Sequence, residues 1–392
     1  MEEERKMILK MVESGKISAE EGAKLLQALN QEEKKPESST TNEENVTSAT
    51  EKEKVKSITD HLSDLSTKVD WGEGNKRYNQ WQKDKDKDKT EPGMKKFSDF
   101  IENTLQKIKE LDLDFNFGSY IEVNHIFQHQ NMFQSKIDVS LENGSLNIES
   151  WDEPHVRLET KAKVYKAKNP DEAREEFLKE TDFEVAGEEL HFHTKTKAIK
   201  VNGTLYLPKK DYASLQFYTF NGHFKGEKLK AQSLTAKVVN GSMIFNDVHA
   251  QAFKGETVSG PVTISGGTID QCDVQTMHGT IELEALMKDV EAESLNGTIS
   301  ARLNIAEDTR ANLAATTGSV FVTVPSTIRT DGILKTNIGN YNWTMPNVEV
   351  IEEKKDFVQK SITFVSNQSG SPRLRLEAST KTGSISLKNM EG

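Results

Sequence analysis

The spacing of apolar residues divides the chain of 392 residues into a helical N-terminal region and a long β region. Before residue 112, apolar positions recur every three or four residues, a spacing typical of amphipathic helices. From residue 112 onward the period changes to two, and turn-forming residues become frequent between the apolar runs. The pattern predicts a mainly β protein that is preceded by an α-helical region with flexible linkers.

Residues 1–30 are predicted to form a helical hairpin module. Apolar residues at helical spacing precede Gly15, a residue type that is common at helix C-termini. Ser18 then offers an N-cap oxygen, and Glu21 follows three residues later, which is a capping box. A hairpin of this length buries little surface by itself, so we expect its apolar face to pack against the rest of the chain or a partner.

Two linkers and two further helices are predicted between this hairpin and the β region. Residues 31–54 contain almost nothing to bury and should be disordered. Residues 55–70 carry apolar residues in a 3-4-3-4 spacing, which indicates a short coiled coil. A charged linker at 71–94 leads to an amphipathic helix at 95–111. The apolar face of this helix could pack against the β region or contact a membrane surface.

Apolar residues of the predicted helices are the candidate partner-binding residues of the chain. Packing within the chain itself is the alternative role for the same side chains. The candidates are Leu25, Leu26, Leu29, Phe97, Phe100 and Ile101.

Glycines of the β region recur at nearly even intervals. From Gly203 to Gly279 each interval is 19 residues, and intervals of 18, 21 and 21 lead on to Gly339. Apolar residues stand two and four places after most of these glycines, as expected for a strand with one buried face. We interpret each glycine as a corner at which the backbone takes a positive φ. The candidate corner glycines are Gly144, Gly203, Gly222, Gly241, Gly260, Gly279, Gly297, Gly318, Gly339 and Gly383.

This repeat predicts a right-handed parallel β-solenoid with rungs of about 19 residues. An antiparallel meander is the alternative, because Asn-Gly is a strong hairpin signal. A meander would turn about every 8–12 residues, whereas the same columns of residues recur here once per 19 residues. Stacked rungs place like residues above like, and crossovers between parallel strands are right-handed.

A column of small or β-branched residues stands three places before the glycines. Side chains facing inward would support the stacking of the corners. Facing outward, a regular ladder of hydroxyl groups could order water or bind a flat ligand, and the sequence leaves both orientations open. The column consists of Thr219, Val238, Thr257, Thr276, Ser294, Ala315, Thr336 and Thr380.

Two passages interrupt the period. Residues 169–180 are predicted to be an inserted helix, with Asn169 as its N-cap and Pro170 at its first position. Residues 340–375 form a second, irregular interruption. Excursions from a solenoid often lie on its binding face.

Composition limits the classes of function. The formal net charge of −11 argues against general nucleic-acid binding, which needs a basic face. The single cysteine, Cys272, excludes an intramolecular disulfide. We recognise neither a secretory signal nor a run of about 20 apolar residues, so the sequence alone suggests cytoplasmic residence.

Candidate chemistry is sparse. His191 and His193 share one face of a predicted strand, and His125 and His129 would share a helix face. Either pair could begin a zinc site, but no further Cys or His lies nearby in the sequence to complete one. Cys272 has no sequence partner that would suggest a nucleophile. We therefore expect no catalytic residue, no metal site, no cofactor and no enzymatic activity.

The combination of modules resembles a known family. The segment VESGKISAEEGAKLLQAL at 12–29 is similar to the N-terminal helical module of the YvlB/LiaX-like proteins, which include a daptomycin-sensing surface protein. The copies NGSLNI, NGTIS and TGSVFV resemble the adhesin-type β-strand repeats of that family. The stretch WDEPHVRLE at 151–159 resembles the Trp-containing strand that follows its first repeat. The charged linker at 71–94 departs from the family pattern.

The resemblance implies a non-enzymatic protein of the Gram-positive cell-envelope stress response. In that family the helical part is linked to sensing membrane-active antibiotics and antimicrobial peptides, and the β part to restraining the signal. It implies partner proteins of that system, and peripheral membrane contact or a surface location. The predicted helices themselves suggest self-association. The alternative is a cytoplasmic oligomeric scaffold, or an adhesin-like binding protein, that holds partner proteins on its solenoid.

Overall fold

The computed structural model describes residues 118–356 and 359–390. Of these residues, 72% lie in strands and 4% in a helix. The predicted modules before residue 112 lie outside the described residues and stay predictions. The same holds for the candidate partner-binding residues Leu25, Leu26, Leu29, Phe97, Phe100 and Ile101.

Period-two sequences form the strands, and their apolar positions face a common core. In β3, for example, Val156, Leu158, Ala162 and Val164 are buried and alternate with more exposed residues. The strands are β1 (Tyr120–His129), β2 (Lys136–Trp151), β3 (Val156–Tyr165), β4 (Thr181–Ala186), β5 (Glu189–Thr194), β6 (Ile199–Pro208), β7 (Tyr212–Asn221), β8 (Phe224–Glu227), β9 (Lys230–Asn240), β10 (Met243–Ser259), β11 (Val262–His278), β12 (Ile281–Asn296), β13 (Ile299–Asn304), β14 (Thr309–Thr317), β15 (Val320–Val324), β16 (Arg329–Ile338), β17 (Tyr341–Trp343), β18 (Val348–Lys355), β19 (Lys360–Ser366), β20 (Arg373–Thr382) and β21 (Ile385–Asn389).

The strands build a parallel β-solenoid with two walls. The walls meet at the glycine corner and at a second corner, which lies inside β10, β11 and β12. The first wall follows the pairing order β4-β5-β2-β7-β9-β10-β11-β12-β14-β20-β16-β19-β18. The second wall follows the order β1-β3-β6-β2-β8-β10-β11-β12-β13-β15-β21-β17. Strands β2, β10, β11 and β12 run through both walls. The predicted solenoid is therefore confirmed, and the meander is excluded.

The rung length of 19 residues and its exceptions follow from the pairing register. Met243 pairs with Val262, and Val262 with Ile281, so equivalent residues stack once per rung. One rung is a residue shorter because β11 holds Gly266 and Gly267 at a corner where β12 holds a single residue. The longer interval before Gly318 contains the loop at 305–308 between β13 and β14.

The corner glycines stack so closely that no side chain fits between them. A Cβ added to Gly279 would overlap the backbone oxygen of Gly260, and one added to Gly297 would overlap that of Gly279. The same relation to the neighbouring glycine holds for Gly222, Gly241, Gly260, Gly318, Gly339 and Gly383, and Gly144 contacts Val201 in this way. The neighbouring rung therefore leaves no room for a side chain at any of these glycines, and the larger Val201 stands only at the end of the column, next to Gly144.

Positive φ is not the property that the column has in common. Six of the ten predicted corners take positive φ, but Gly203, Gly222, Gly279 and Gly297 do not. The prediction of positive φ at every corner is therefore wrong. Close approach of neighbouring backbones is what requires glycine, and the positive φ at the other positions, Gly144, Gly241, Gly260, Gly318, Gly339 and Gly383, adds to that requirement.

Gly203 is not a member of the glycine column, which corrects its assignment as a corner. The residue that pairs with Gly144 is Val201, and Gly203 lies two residues further along, opposite Leu146. A Cβ at Gly203 would instead overlap the backbone oxygen of Glu159 in the antiparallel strand β3. Gly203 and Gly222 are 19 residues apart, which equals the rung length, but they do not stack on each other. Strand β2 lies between β6, which contains Gly203, and β8, which follows Gly222.

The order of the rungs departs from chain order at the C-terminal end. Gly383 contacts Gly318, and Gly339 contacts Gly383. Strand β20 correspondingly lies between β14 and β16. The interruption that the sequence shows at 340–375 forms the last strands of both walls: β17 pairs with β21, and β19 pairs antiparallel with β16 and β18.

Helix α1 (Pro170–Lys179) packs against the N-terminal end of the solenoid, where the inserted helix was predicted. Asn169 caps it by accepting a 2.8 Å hydrogen bond from the backbone N–H of Glu172. The helix buries Ala173 and Phe177. The ring of Phe177 lies beside that of Phe127 in β1, with 6.1 Å between centroids, so the helix covers apolar surface that a further rung would otherwise bury.

The threonine column faces inward. Its hydroxyl groups donate to glycine carbonyls of the neighbouring rung, as from Thr380 to Gly318 at 2.8 Å and from Thr219 to Gly144 at 3.2 Å. Thr257 is also buried, but its hydroxyl lacks a partner. The column therefore supports the corner, and the alternative of an outward ladder that binds a ligand is wrong.

We expect Gly279→Ala to destabilise the solenoid and Gly266→Asn to be tolerated. The first change inserts a Cβ into the backbone of Gly260 and should cost about 1–3 kcal/mol or more. Gly266 has more room, and the stacked position in the rung before it is held by Asp247 with a positive φ of 54°. Urea unfolding midpoints of the two variants test this; similar midpoints would contradict a steric requirement at Gly279.

A second pair of variants tests the threonine column. Thr380→Val removes a hydroxyl that donates to Gly318 and should lower the free energy of unfolding by about 1 kcal/mol. Thr257→Val removes a buried hydroxyl that has no partner and should be neutral or stabilising. Thermal melts of both variants distinguish the two effects. Equal losses would show that the hydrogen bond to the glycine carbonyl is not what the column provides.

Candidate functional site

The outer face of the first wall carries a patch of charged residues that lie in register on neighbouring rungs. Glu256 pairs with Lys237 on one side and with Gln275 on the other, and Gln275 pairs with Glu293. A second column lies two residues away along the same strands. We call this set the outer patch: Lys237, Lys254, Glu256, Asp273, Gln275, Glu291 and Glu293.

Glu256 is the centre of the outer patch. Its side chain is fully shielded from solvent, with Lys237 Nζ 2.7 Å from one carboxylate oxygen and Lys254 Nζ 2.8 Å from the other. A buried carboxylate is tolerated only when charge partners compensate its lost hydration. The two lysine side chains therefore lie over Glu256 and fix the centre of the patch.

Asp273 extends the negative charge to the next rung. Its carboxylate lies 3.7 Å from Lys254 Nζ and accepts a 3.0 Å hydrogen bond from Gln275 Nε2. Burial nevertheless raises the pKa of Asp273, with Glu256 adding to the rise, while Lys254 and Gln275 act in the opposite direction. Asp273 pairs in register with Glu291, so the carboxylates of the patch follow one another along the wall.

A second group of polar side chains lies at the N-terminal end of the first wall. Asp138 of β2 pairs in register with His191 of β5, and His193 lies two residues further on the same face. Asp138 Oδ2 is 3.1 Å from His193 Nε2 and 3.5 Å from His191 Nδ1. The sequence indicates the histidine pair but no third ligand; in the structure, strand pairing brings in Asp138 from more than 50 residues away.

His125 and His129 lie in β1, so the expectation that they share a helix face is wrong. The segment has the period of a strand, and β1 pairs antiparallel with β3 along its whole length. Burial lowers the pKa of His125, and the charge of Arg174 lowers it further. His125 and Arg174 line a cleft of about 610 Å³ between β1, β3, β6 and the helix.

Cys272 is buried in the core, and burial raises the pKa of its thiol. A thiol held in this form inside the solenoid cannot act as an accessible nucleophile. In the described part of the chain, no helix is long and apolar enough to cross a membrane.

The described residues thus define a parallel β-solenoid with a polar, charged outer wall, and comparisons with known proteins place it in a family. The Toastrack DUF4097 model matches residues 134–390, and a SHOCT-like domain model matches residues 3–34. The chain belongs to the Toastrack DUF4097 family. Uncharacterized protein YvlB of Bacillus subtilis (strain 168) is 31% identical over 390 residues, which is 99% of each chain.

The comparison with solved structures found bacterial proteins described as a putative adhesin and a putative cell adhesion protein. A putative adhesin from Bacteroides fragilis is 14% identical with a TM-score of 0.36, and the match covers 68% of this chain and 97% of that one. A putative cell adhesion protein from Clostridium sporogenes is 14% identical with a TM-score of 0.23, covering 69% and 100%. Nothing about function follows from likenesses at these values.

The raised pKa of Asp273 predicts a pH-dependent effect on stability. The folded protein binds the proton of the Asp273 carboxyl group more tightly than the unfolded chain does. Protonated Asp273 therefore stabilises the fold below about pH 4, and this stabilisation is lost as the pH rises through the raised pKa. Asp273→Asn should therefore raise the urea unfolding midpoint at pH 7, and the gain should shrink toward pH 4. Glu282→Gln, an exposed change on the second wall, serves as the control. A lowered midpoint for Asp273→Asn at pH 7 would show that pairing with Lys254 dominates.

Proposed function

We propose that this protein is a non-enzymatic component of the cell-envelope stress response. In this proposal it senses or buffers cationic, membrane-active peptides and passes that state to partner proteins. The similarity of the chain to the YvlB/LiaX-like proteins motivates the class of function. The observation that carries the proposal is the outer patch, in which carboxylates stand in register on adjacent rungs of a rigid wall.

The geometry of the outer patch suits a cationic partner. Asp273 and Glu291 belong to adjacent paired strands, which lie about 4.8 Å apart. This spacing is shorter than the Debye length of about 8 Å at physiological salt, so the carboxylates act together on an approaching charge. The patch contains four carboxylates, of Glu256, Asp273, Glu291 and Glu293, and two ammonium groups, of Lys237 and Lys254. Both lysines contact Glu256, and Lys254 also contacts Asp273.

The helical region supplies the second half of the proposal. Charge attraction alone gives binding that weakens steeply with salt, so a selective sensor also needs apolar anchors. The apolar residues of the predicted helices, such as Leu25, Leu29, Phe97 and Phe100, would provide them. In this arrangement the solenoid attracts the peptide by charge and the helices hold its apolar face, at the membrane surface or on the cell surface.

Titration of the full-length protein with a cationic amphipathic peptide at physiological salt tests the proposal. Glu291→Gln combined with Glu293→Gln should weaken binding about two- to thirtyfold, because exposed charge pairs contribute about 0.2–1 kcal/mol each. Glu282→Gln combined with Glu284→Gln makes the same charge change in the same strand, β12, but on the second wall, and should leave the affinity unchanged.

Three results would contradict parts of this proposal. Loss of binding in both double variants alike would show that net charge, and not the outer patch, attracts the peptide. Binding by the wild type that vanishes at physiological salt would favour the oligomeric scaffold that holds partner proteins. Protection of the protein from protease added to intact cells would contradict a surface location.

A further inference from the structure

We propose that Asp138, His191 and His193 form a binding site for one zinc-class divalent metal ion on the outer face of the first wall. Each residue offers one ligand atom, and these atoms all lie within 4.8 Å of one another. The site is independent of the outer patch and of the proposed peptide binding.

The two distances from the Asp138 carboxylate to the histidine nitrogens agree with metal coordination, and all three ligand atoms lie within 4.8 Å of one another. Zinc is bound by nitrogen and oxygen at about 2.0–2.2 Å in a tetrahedron, which sets neighbouring ligand atoms about 3.3–3.6 Å apart. In the structure, Asp138 Oδ2 lies 3.1 Å from His193 Nε2 and 3.5 Å from His191 Nδ1. The two imidazole rings lie at 78° to each other with centroids 5.5 Å apart, so both approach the same carboxylate from different directions. The three donors therefore need little rearrangement to share an ion.

The ligands stand on a rigid support. Strands β2 and β5 pair with each other; β5 also pairs with β4, and β2 also pairs with β7. The residues that alternate with the ligands are buried in the core, as for Ile137, Val139 and Phe192. Because the backbone on both sides is fixed by pairing and packing, the ligand set is already assembled before an ion arrives.

Glu189 adds the outer contact that metal-binding histidines usually have. Its Oε2 lies 3.4 Å from His191 Nε2, on the ring nitrogen opposite the one that faces Asp138. A proton on Nε2 that points toward this carboxylate leaves Nδ1 with its lone pair available for the metal. Glu189 is therefore a positioning residue of the site.

The donor set selects the class of ion. Two imidazoles and one carboxylate suit zinc and its transition-metal neighbours, whereas calcium and magnesium prefer an all-oxygen shell. The side chains of Asp138, His191 and His193 are 28%, 30% and 38% exposed, so a fourth coordination position opens to solvent. Three protein ligands with one open position can hold a water molecule or a donor from a partner molecule.

A second contact between a histidine and a carboxylate lies elsewhere on the solenoid. His249 and Asp247 form a similar surface contact, with 3.3 Å between Nε2 and Oδ1. In the described residues, this pair has no third ligand close enough to complete a metal site. The pair is therefore a matched control for a histidine beside a carboxylate without a complete ligand set.

Zinc titration of the tag-free, full-length protein by competition with a chromogenic chelator tests the site. We expect one tightly bound Zn²⁺ per chain, and a Co²⁺-loaded sample should show the absorption of a low-symmetry, four- or five-coordinate ion. His193→Ala and Asp138→Ala should each lower the affinity at least a hundredfold, while His249→Ala leaves it unchanged. Glu189→Gln should weaken zinc about tenfold without changing the unfolding midpoint of the metal-free protein, and Glu189→Asp should restore part of the loss.

Two outcomes would overturn the proposal. One is the absence of stoichiometric zinc binding by the wild-type chain at neutral pH. The other is zinc binding that survives the combined change Asp138→Ala and His193→Ala, since the ion would then lie elsewhere in the chain. Circular dichroism of each variant ensures that a lost site is not a lost fold.

Discussion

The close approach of neighbouring backbones at the glycine column sets the geometry of the described solenoid. Each corner lies against the carbonyl oxygen of the adjacent corner, and a Cβ at Gly260, Gly279 or Gly297 would occupy the place of that oxygen. Threonine hydroxyls three residues earlier donate to several of the same carbonyls, as from Thr380 to Gly318. Satisfying a carbonyl that points along the stack removes the cost of leaving it buried without a partner. The corner thus combines a steric requirement with a polar one.

Fixed corners also fix what the outer wall presents. Because each rung repeats the register of the one before it, residues at equivalent positions form columns about 4.8 Å apart. Apolar members of a rung pack inward, and outward positions are free to vary from rung to rung. The outer patch around Glu256 and the histidine group around Asp138 both use this freedom, at different heights of the same wall. Sites of this kind gain precision from the scaffold without depending on mobile loops.

Local sequence signals predicted the solenoid, its rung length and the inserted helix, because each of these features is encoded within about 20 residues. Gly203 shows where such signals fail, since its spacing from Gly222 matches a rung although β2 lies between their strands. The exchange of the Gly339 and Gly383 rungs could not be read from the sequence either, because both stacking orders satisfy the same local pattern. Asp138 could not be recognised as a partner of His191 and His193 for a related reason: the pairing between β2 and β5 is non-local and joins residues more than 50 positions apart.

The order of the rungs is the central structural claim, and double electron-electron resonance between pairs of spin labels measures it directly. Asn240, Thr317, Thr382 and Ile338 are exposed members of one column beside the glycine corner. If the rungs stack in the order given by the strand pairing, the distance from a label at Asn240 increases by about 4.8 Å per rung. Thr382 stands five rungs from Asn240 and Ile338 stands six rungs from it. Their labels should therefore lie about 24 Å and about 29 Å away. The reverse order would show that the rungs stack in chain order, and distances without a regular increment would contradict the parallel solenoid itself.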